Sequence, residues 1–176
     1  RPSVRRQAGN GLILIRIMIA IIAEKPSVGQ EIARVVGATE KKDGYITGNG
    51  YMVTWALGHL VSLALPGTYG YTRTTAEDLP MLPEPFRLVE RQIRTDRGMV
   101  TDIAAGRQLK VIDGVFSECD SIIVATDAGR EGELIFRWIY SHLGCTKPFK
   151  RLWFSSLTDE AIRKGICLLY TSPSPR

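Results

Sequence analysis

A chain of 176 residues with 44% hydrophobic side chains suits one domain, or one domain and a fragment, with ample apolar content for a core. The formal charge of +5 invites a nucleic-acid partner, but Arg1, Arg5, Arg6, Arg16 and Arg176 carry all of the excess. With these five set aside, the 23 basic residues fall to 18 against 18 acidic ones, so global charge is excluded as evidence for DNA binding. Cys119, Cys145 and Cys167 form no Cys-x-x-Cys pair, which excludes a zinc ribbon or disulfide framework and fits reduced thiols in the cytoplasm.

Along the chain, residues 1–17 read as a non-native or disordered leader rich in arginine. The apolar run Leu12–Ala23 behind Arg5 and Arg6 has the look of a signal peptide. Arg16 interrupts it, however, and it falls short of the ~20 residues that span a membrane. From Met18 to about Gly165 the pattern is that of a native body, and 166–176 read as a non-native Ser/Pro tail.

Ile17–Ala23 is continuous, apolar and isoleucine-rich, the signature of a fully buried strand. Pro26 disfavours a helical Lys25, so the strand ends in an extended Glu24-Lys25 pair before a helix with Val28, Ile32, Val35 and Val36 on one face. Gly37 is its stop. Within Gly44–Leu65, Tyr45–Thr47 and Tyr51–Leu57 read as a hairpin turning at Gly48-Asn49-Gly50, and Pro66–Pro85 reads as a long surface loop. Phe86–Thr95 is a further candidate strand. A helix is predicted within Met99–Glu118, strongest over Gln108–Phe116.

Ser121–Ala125 is a second buried strand, followed by Thr126, Asp127 and a helix over Arg130–His142 with Leu134, Ile135, Trp138, Ile139 and Leu143 as its stripe. A fourth strand is expected at Arg151–Phe154, and Thr158 is a good N-cap for a helix over Asp159–Gly165. Strands alternating with helices imply an α/β fold with a mostly parallel sheet flanked by helices, an inserted hairpin and a long loop.

Two buried strands thus end in carboxylates, Glu24 and Asp127, with Glu131 one helical turn on. Open parallel sheets place ligands beyond such strand ends. Each acid alone has a plain reading as a helix N-terminal acid or cap. Together, with Lys25 and Arg130 adjacent, they point to a divalent cation and phosphate chemistry. No Gly-x-Gly-x-x-Gly follows the first strand and no Gly-x-x-x-x-Gly-Lys-Ser/Thr occurs, so neither dinucleotide binding nor P-loop hydrolysis has support. The tryptophans, Trp55, Trp138 and Trp153, read as core residues rather than base-stacking platforms.

Four segments in order, Ala-Glu24-Lys25-Pro-Ser, Trp55-Ala-Leu-Gly58-His59-Leu, Ala-Thr-Asp127-Ala-Gly-Arg130-Glu131-Gly-Glu133 and Lys150-Arg-Leu-Trp-Phe-Ser-Ser-Leu-Thr-Asp159, resemble the amino-terminal toprim domain of bacterial type IA topoisomerases of the topoisomerase III group. The resemblance covers Met18–Gly165. It implies a Rossmann-like toprim fold and an enzyme that cuts one DNA strand through a phosphotyrosine link, passes another and reseals. On that resemblance Glu24 is a metal ligand and proton donor to the leaving 3′ oxygen, and Lys25 steadies the scissile phosphate. Asp127 and Glu131 are further Mg2+ ligands, and Arg130 and His59 approach the DNA. Gly129 stands where the second acid of an Asp-x-Asp motif is commonest, so one carboxylate is missing and a tight two-metal site is disfavoured.

The family's nucleophilic tyrosine has no counterpart in the settings of Tyr45, Tyr51, Tyr69, Tyr71, Tyr140 or Tyr170. The fragment alone is therefore expected to be inactive in strand passage. Mg2+ is the cofactor implied, single-stranded DNA the partner, and a cytoplasmic monomer without membrane attachment or small-molecule cofactor the expected setting. The rival readings are another toprim phosphotransfer enzyme, a primase or nuclease, and a non-enzymatic metal- or DNA-binding module.

Overall fold

A computed structural model describes residues 3–8, 11–71, 75–96, 98–154 and 156–169. Tyr170, Ser155 and residues 170–176 of the expected tail lie outside them. In chain order the elements begin with β1 (Ser3–Ala8), β2 (Gly11–Arg16), β3 (Ile19–Ala23), α1 (Pro26–Val36), β4 (Glu40–Lys42), β5 (Tyr45–Gly48) and β6 (Tyr51–Trp55). There follow β7 (Val61–Leu63), β8 (Leu88–Glu90), β9 (Gln92–Thr95), β10 (Gly98–Thr101) and α2 (Ile103–Glu118). The chain continues through β11 (Ser121–Ala125), α3 (Arg130–His142), β12 (Phe149–Arg151) and α4 (Asp159–Cys167).

The main sheet has six strands in the order β12-β11-β3-β6-β5-β4. The first four run parallel, as two-sided burial of β3 and β11 demands, and β5 and β4 are added antiparallel. Successive side chains of β3 and β11 alternate between two cores. Ala20, Ile22, Ile122 and Val124 pack with Leu109, Ile112 and Phe116 of α2 and Ile135, Phe136 and Ile139 of α3. Ile21, Ala23, Ile123 and Ala125 pack on the other face with Ile32, Val35 and Val36 of α1 and Ile162 of α4. The fold is therefore a helix–sheet–helix sandwich. β1–β2, β7–β8 and β9–β10 are separate two-stranded antiparallel units.

From β3 the chain crosses by α1 to β6 on one side. From β11 it crosses by α3 to β12 on the other side and the opposite face, as two right-handed crossovers in opposite directions require. β3 and β11 are therefore adjacent parallel strands whose following helices diverge, which leaves an open crevice at their carboxyl ends.

Several boundaries differ from the sequence expectations. The run expected as one strand over Phe86–Thr95 divides at Arg91. The backbone amide of Arg91 bonds Leu60 and its carbonyl accepts from Asp102, while its side chain turns inward to the Leu57 and His59 carbonyls at 2.9 and 3.2 Å. Helix α2 starts at Ile103, earlier than the strong stripe, because Asp102 caps it by accepting from the Ala104 and Ala105 amides. The expected Arg151–Phe154 strand is displaced to Phe149–Arg151. The hairpin at Asn49-Gly50 forms as expected, with both turn residues at positive φ (51° and 83°).

Asp102 also joins Arg91 in an ion pair at 2.6 Å, and this hydrogen-bonded guanidinium holds its carboxyl below the usual carboxylate range, assisted by the two cap amides against desolvation. A carboxyl depressed on folding stabilises the protein above its unfolded pKa of about 4, and that contribution is lost as pH falls through the folded value. Thermal melts from pH 6 to pH 3 are expected to show a falling midpoint. In Asp102→Asn the midpoint at pH 6 is lower and the acid decline shallower; an unchanged acid decline would remove Asp102 from the linkage.

Candidate functional site

The crevice is built from the two strand ends. Pro26 occupies the first turn of α1, and Lys25 before it is extended at φ −133° and ψ 152°. Glu24 is thereby delivered to the rim half-buried, and Lys25 exposed, its ammonium making no hydrogen bond or ion pair among the described residues. Across the crevice, the Asp127 amide donates to Glu24 Oε2 at 3.2 Å, which ties together residues 103 apart in sequence. Asp127 is exposed, and its carboxylate makes no side-chain hydrogen bond among the described residues.

The turn from Asp127 into α3 is tight. Gly129, rather than Asp127, is the N-cap residue and provides no side-chain cap. A Cβ on Gly132 would lie 2.1 Å from the Asp127 carbonyl oxygen, so only glycine fits beneath the loop. Buried Thr126 donates from Oγ1 to the Gly132 carbonyl at 2.7 Å.

Glu131 projects from the first turn of α3, 70% exposed, and contacts His59 Nε2 in a close ion-pair geometry. The His59 ring lies 5.6 Å from the Trp138 ring, and its buried Nδ1 has no partner among the described residues. The structure thus assembles Glu24 with Asp127 and, separately, Glu131 with His59. Arg130 is exposed and makes no ion pair among the described residues.

Glu133 is engaged elsewhere. It accepts from Arg137 Nε at 2.7 Å and pairs closely with Arg151 Nη2. Burial works to raise its carboxyl, but the two arginines overcome this and hold it below the ordinary range. Sequence reasoning missed Arg151 and Glu133 as site components. The Glu133–Arg137 spacing of four is a visible helical ion pair, whereas nothing local marks Arg151 as a buried arginine.

Among the described residues no three His, Cys, Asp or Glu side chains form a ready-made cation cage. The Glu24 carboxylate, held by the Asp127 amide, and the exposed Asp127 side chain nevertheless have the oxygen-donor chemistry that suits Mg2+, which keeps several waters and takes one or two carboxylates plus substrate phosphate. Glu24 and Asp127 are the residues that suit it. Trp153, read as core from the sequence, is 54% exposed just past the end of β12, whereas Trp55 and Trp138 pack against the cores.

The toprim domain family matches residues 19–157. The chain belongs to the toprim family. The toprim domain is 46% identical over 149 residues to DNA topoisomerase 3 of Bacillus subtilis, and equally to that of Bacillus licheniformis, covering 82% of this chain and 19% of each relative. A DNA topoisomerase 3 of Bacillus cereus is 47% identical over 154 residues, covering 85% of this chain and 20% of that one. The toprim domain therefore spans about a fifth of the length of the curated relatives it matches. Full-length topoisomerase I from Thermotoga maritima shares the fold with a TM-score of 0.51 at 19% identity, over 86% of this chain and 21% of that one. No helix among the described residues is long and apolar enough to cross a membrane.

Proposed function

We propose that this toprim domain is the metal- and phosphate-binding half of a type IA topoisomerase active site, acting by Mg2+-dependent transesterification on single-stranded DNA. The observation that carries this reading is the joining of Glu24 and Asp127 by the Asp127 amide at the switch between β3 and β11. The similarity to DNA topoisomerase 3 chains over most of this sequence supports it.

Mg2+ bound there would polarise the phosphodiester and offset charge developing at its oxygens. Lys25, unpaired among the described residues and on the same rim, places a compact positive charge for a non-bridging phosphate oxygen. Arg130 offers a planar fork from the first turn of α3, where the amide dipoles also favour a phosphate. Glu24 accepts from the Asp127 amide with one oxygen, leaving the other to hold a proton for the departing 3′ oxygen. His59 restrains Glu131 at the rim, from which that carboxylate would help to hold the metal directly or through water. The tyrosine nucleophile comes from a part of the enzyme outside this chain. Action on DNA as a monomer in the cytoplasm belongs to the same proposal, and the cytoplasmic part accords with three cysteines that form no disulfide.

A titration with MgCl2 followed by amide NMR shifts tests the reading. Shifts are expected at Glu24, Asp127 and their neighbours, and Asp127→Asn should weaken binding at least about tenfold, since even outer partners of metal sites are worth that much. The chain alone, incubated with supercoiled plasmid and Mg2+, is expected to leave it unrelaxed. Equal binding by wild type and Asp127→Asn, or tyrosine-linked cleavage by this chain, would overturn the assignment.

A further inference from the structure

We propose that Arg151 is a positioning residue for the Asp127–Glu131 loop, clamping the two ends of that loop through Thr126 and Glu133. This rests on the reading of the loop as part of a metal site. The loop belongs to neither β11 nor the body of α3, and its N-cap glycine gives no side-chain anchor. It is held from below instead. Arg151 is 6% exposed and reaches from the end of β12, whose register sets it beside Val124. Its Nη1 donates to the Thr126 carbonyl at 3.0 Å, where the loop begins, and its Nη2 pairs with Glu133, where the loop has entered the helix.

Both terminal nitrogens also lie 3.4 Å from Thr126 Oγ1, which itself bonds the Gly132 carbonyl. One planar group therefore spans the strand end and the helix start. Arg137 fixes the second oxygen of Glu133 while its own guanidinium lies 4.8 Å over the Phe149 ring of β12.

Energetics favour a geometric role over a purely stabilising one. A buried ion pair contributes little net stability, because desolvation offsets its attraction and an apolar pair of similar volume often does as well. Arg151 Nε, moreover, is buried without a partner among the described residues, a cost retained at this position. The arrangement supplies direction instead: a rigid fork fixes two points at once, which the single ammonium of lysine cannot do. Asp127 is thereby presented to Glu24, and Glu131 to His59.

The test separates order from stability. In Arg151→Lys, and in Arg151→Met combined with Glu133→Leu, 15N order parameters at Asp127, Ala128 and Gly129 are expected to fall from about 0.85 toward 0.6 while those of β3 and β11 hold. The double variant should melt near the wild-type midpoint, yet bind Mg2+ about tenfold more weakly. Wild-type loop order in a folded double variant, or in Arg151→Lys should the double variant not fold, would overturn the proposal. The order parameters are read without metal. If Mg2+ binding in the wild type proves indifferent to Asp127→Asn, the metal reading fails, and loop order still decides the role of Arg151.

Discussion

Gly132→Ala is expected to be the most damaging single-methyl change in the domain. The added carbon would meet three backbone atoms of Asp127, at 2.1, 2.7 and 2.8 Å, and none of them can rotate away as a side-chain tip can. Overpacking costs about 1–3 kcal/mol where side chains yield, so a contact with backbone falls at the upper end or beyond. For a domain of this size that is a drop in the thermal midpoint of roughly 6–12 °C. Gly114→Ala in α2 is the control, since its Cβ meets nothing within 4 Å and the substitution should stabilise by about 0.5–1 kcal/mol. Calorimetry on the pair checks this; equal midpoints would mean that the Asp127 turn yields without cost.

Glu24→Ala carries the largest expected effect on chemistry. In a protein extended to include the nucleophilic tyrosine, DNA cleavage and resealing should fall on the order of a hundredfold or more, the usual consequence of deleting one group that stabilises developing charge. Stability should change little, because Glu24 is half-buried and makes one hydrogen bond, worth about 1 kcal/mol net. Glu24→Gln separates the two functions of the side chain. It retains an acceptor for the Asp127 amide but neither the negative charge nor the transferable proton, so it should fold like wild type and cleave like alanine. Turnover at the wild-type rate in either variant would remove Glu24 from the mechanism.

The parts of the fold legible in the sequence are those where one physical constraint dominates. Ile19–Ala23 and Ser121–Ala125 are buried on both faces, and so read as unbroken apolar runs. Asn49 and Gly50 announce their turn because few residues accept positive φ. Pro26 and Gly37 delimit α1 for similarly local reasons. Glu40–Lys42 was illegible because an exposed edge strand of Glu-Lys-Lys has no apolar pattern and exists through its pairing with β5. Ile103, 87% exposed at the start of α2, breaks the stripe that marks the rest of that helix.

The site divides along the same line. Glu24, Lys25 and Asp127 are placed by strand ends that the sequence displays. The His59–Glu131 contact and the Arg151 clamp join residues distant in the chain, and no spacing encodes them.

The 103-residue gap between Glu24 and Asp127 also bears on the order of events during synthesis. No local segment contains both acids, and β3 acquires its β11 neighbour only after α1, the β5–β6 hairpin and α2 have been made. Closing so long a loop is entropically unfavourable until the intervening elements have packed. As this domain emerges from the ribosome, it therefore carries Glu24 without Asp127 until most of the domain's own strands and helices have been made. Asp127 joins it almost as the domain completes, so the two acids are brought together in one of the last steps of folding.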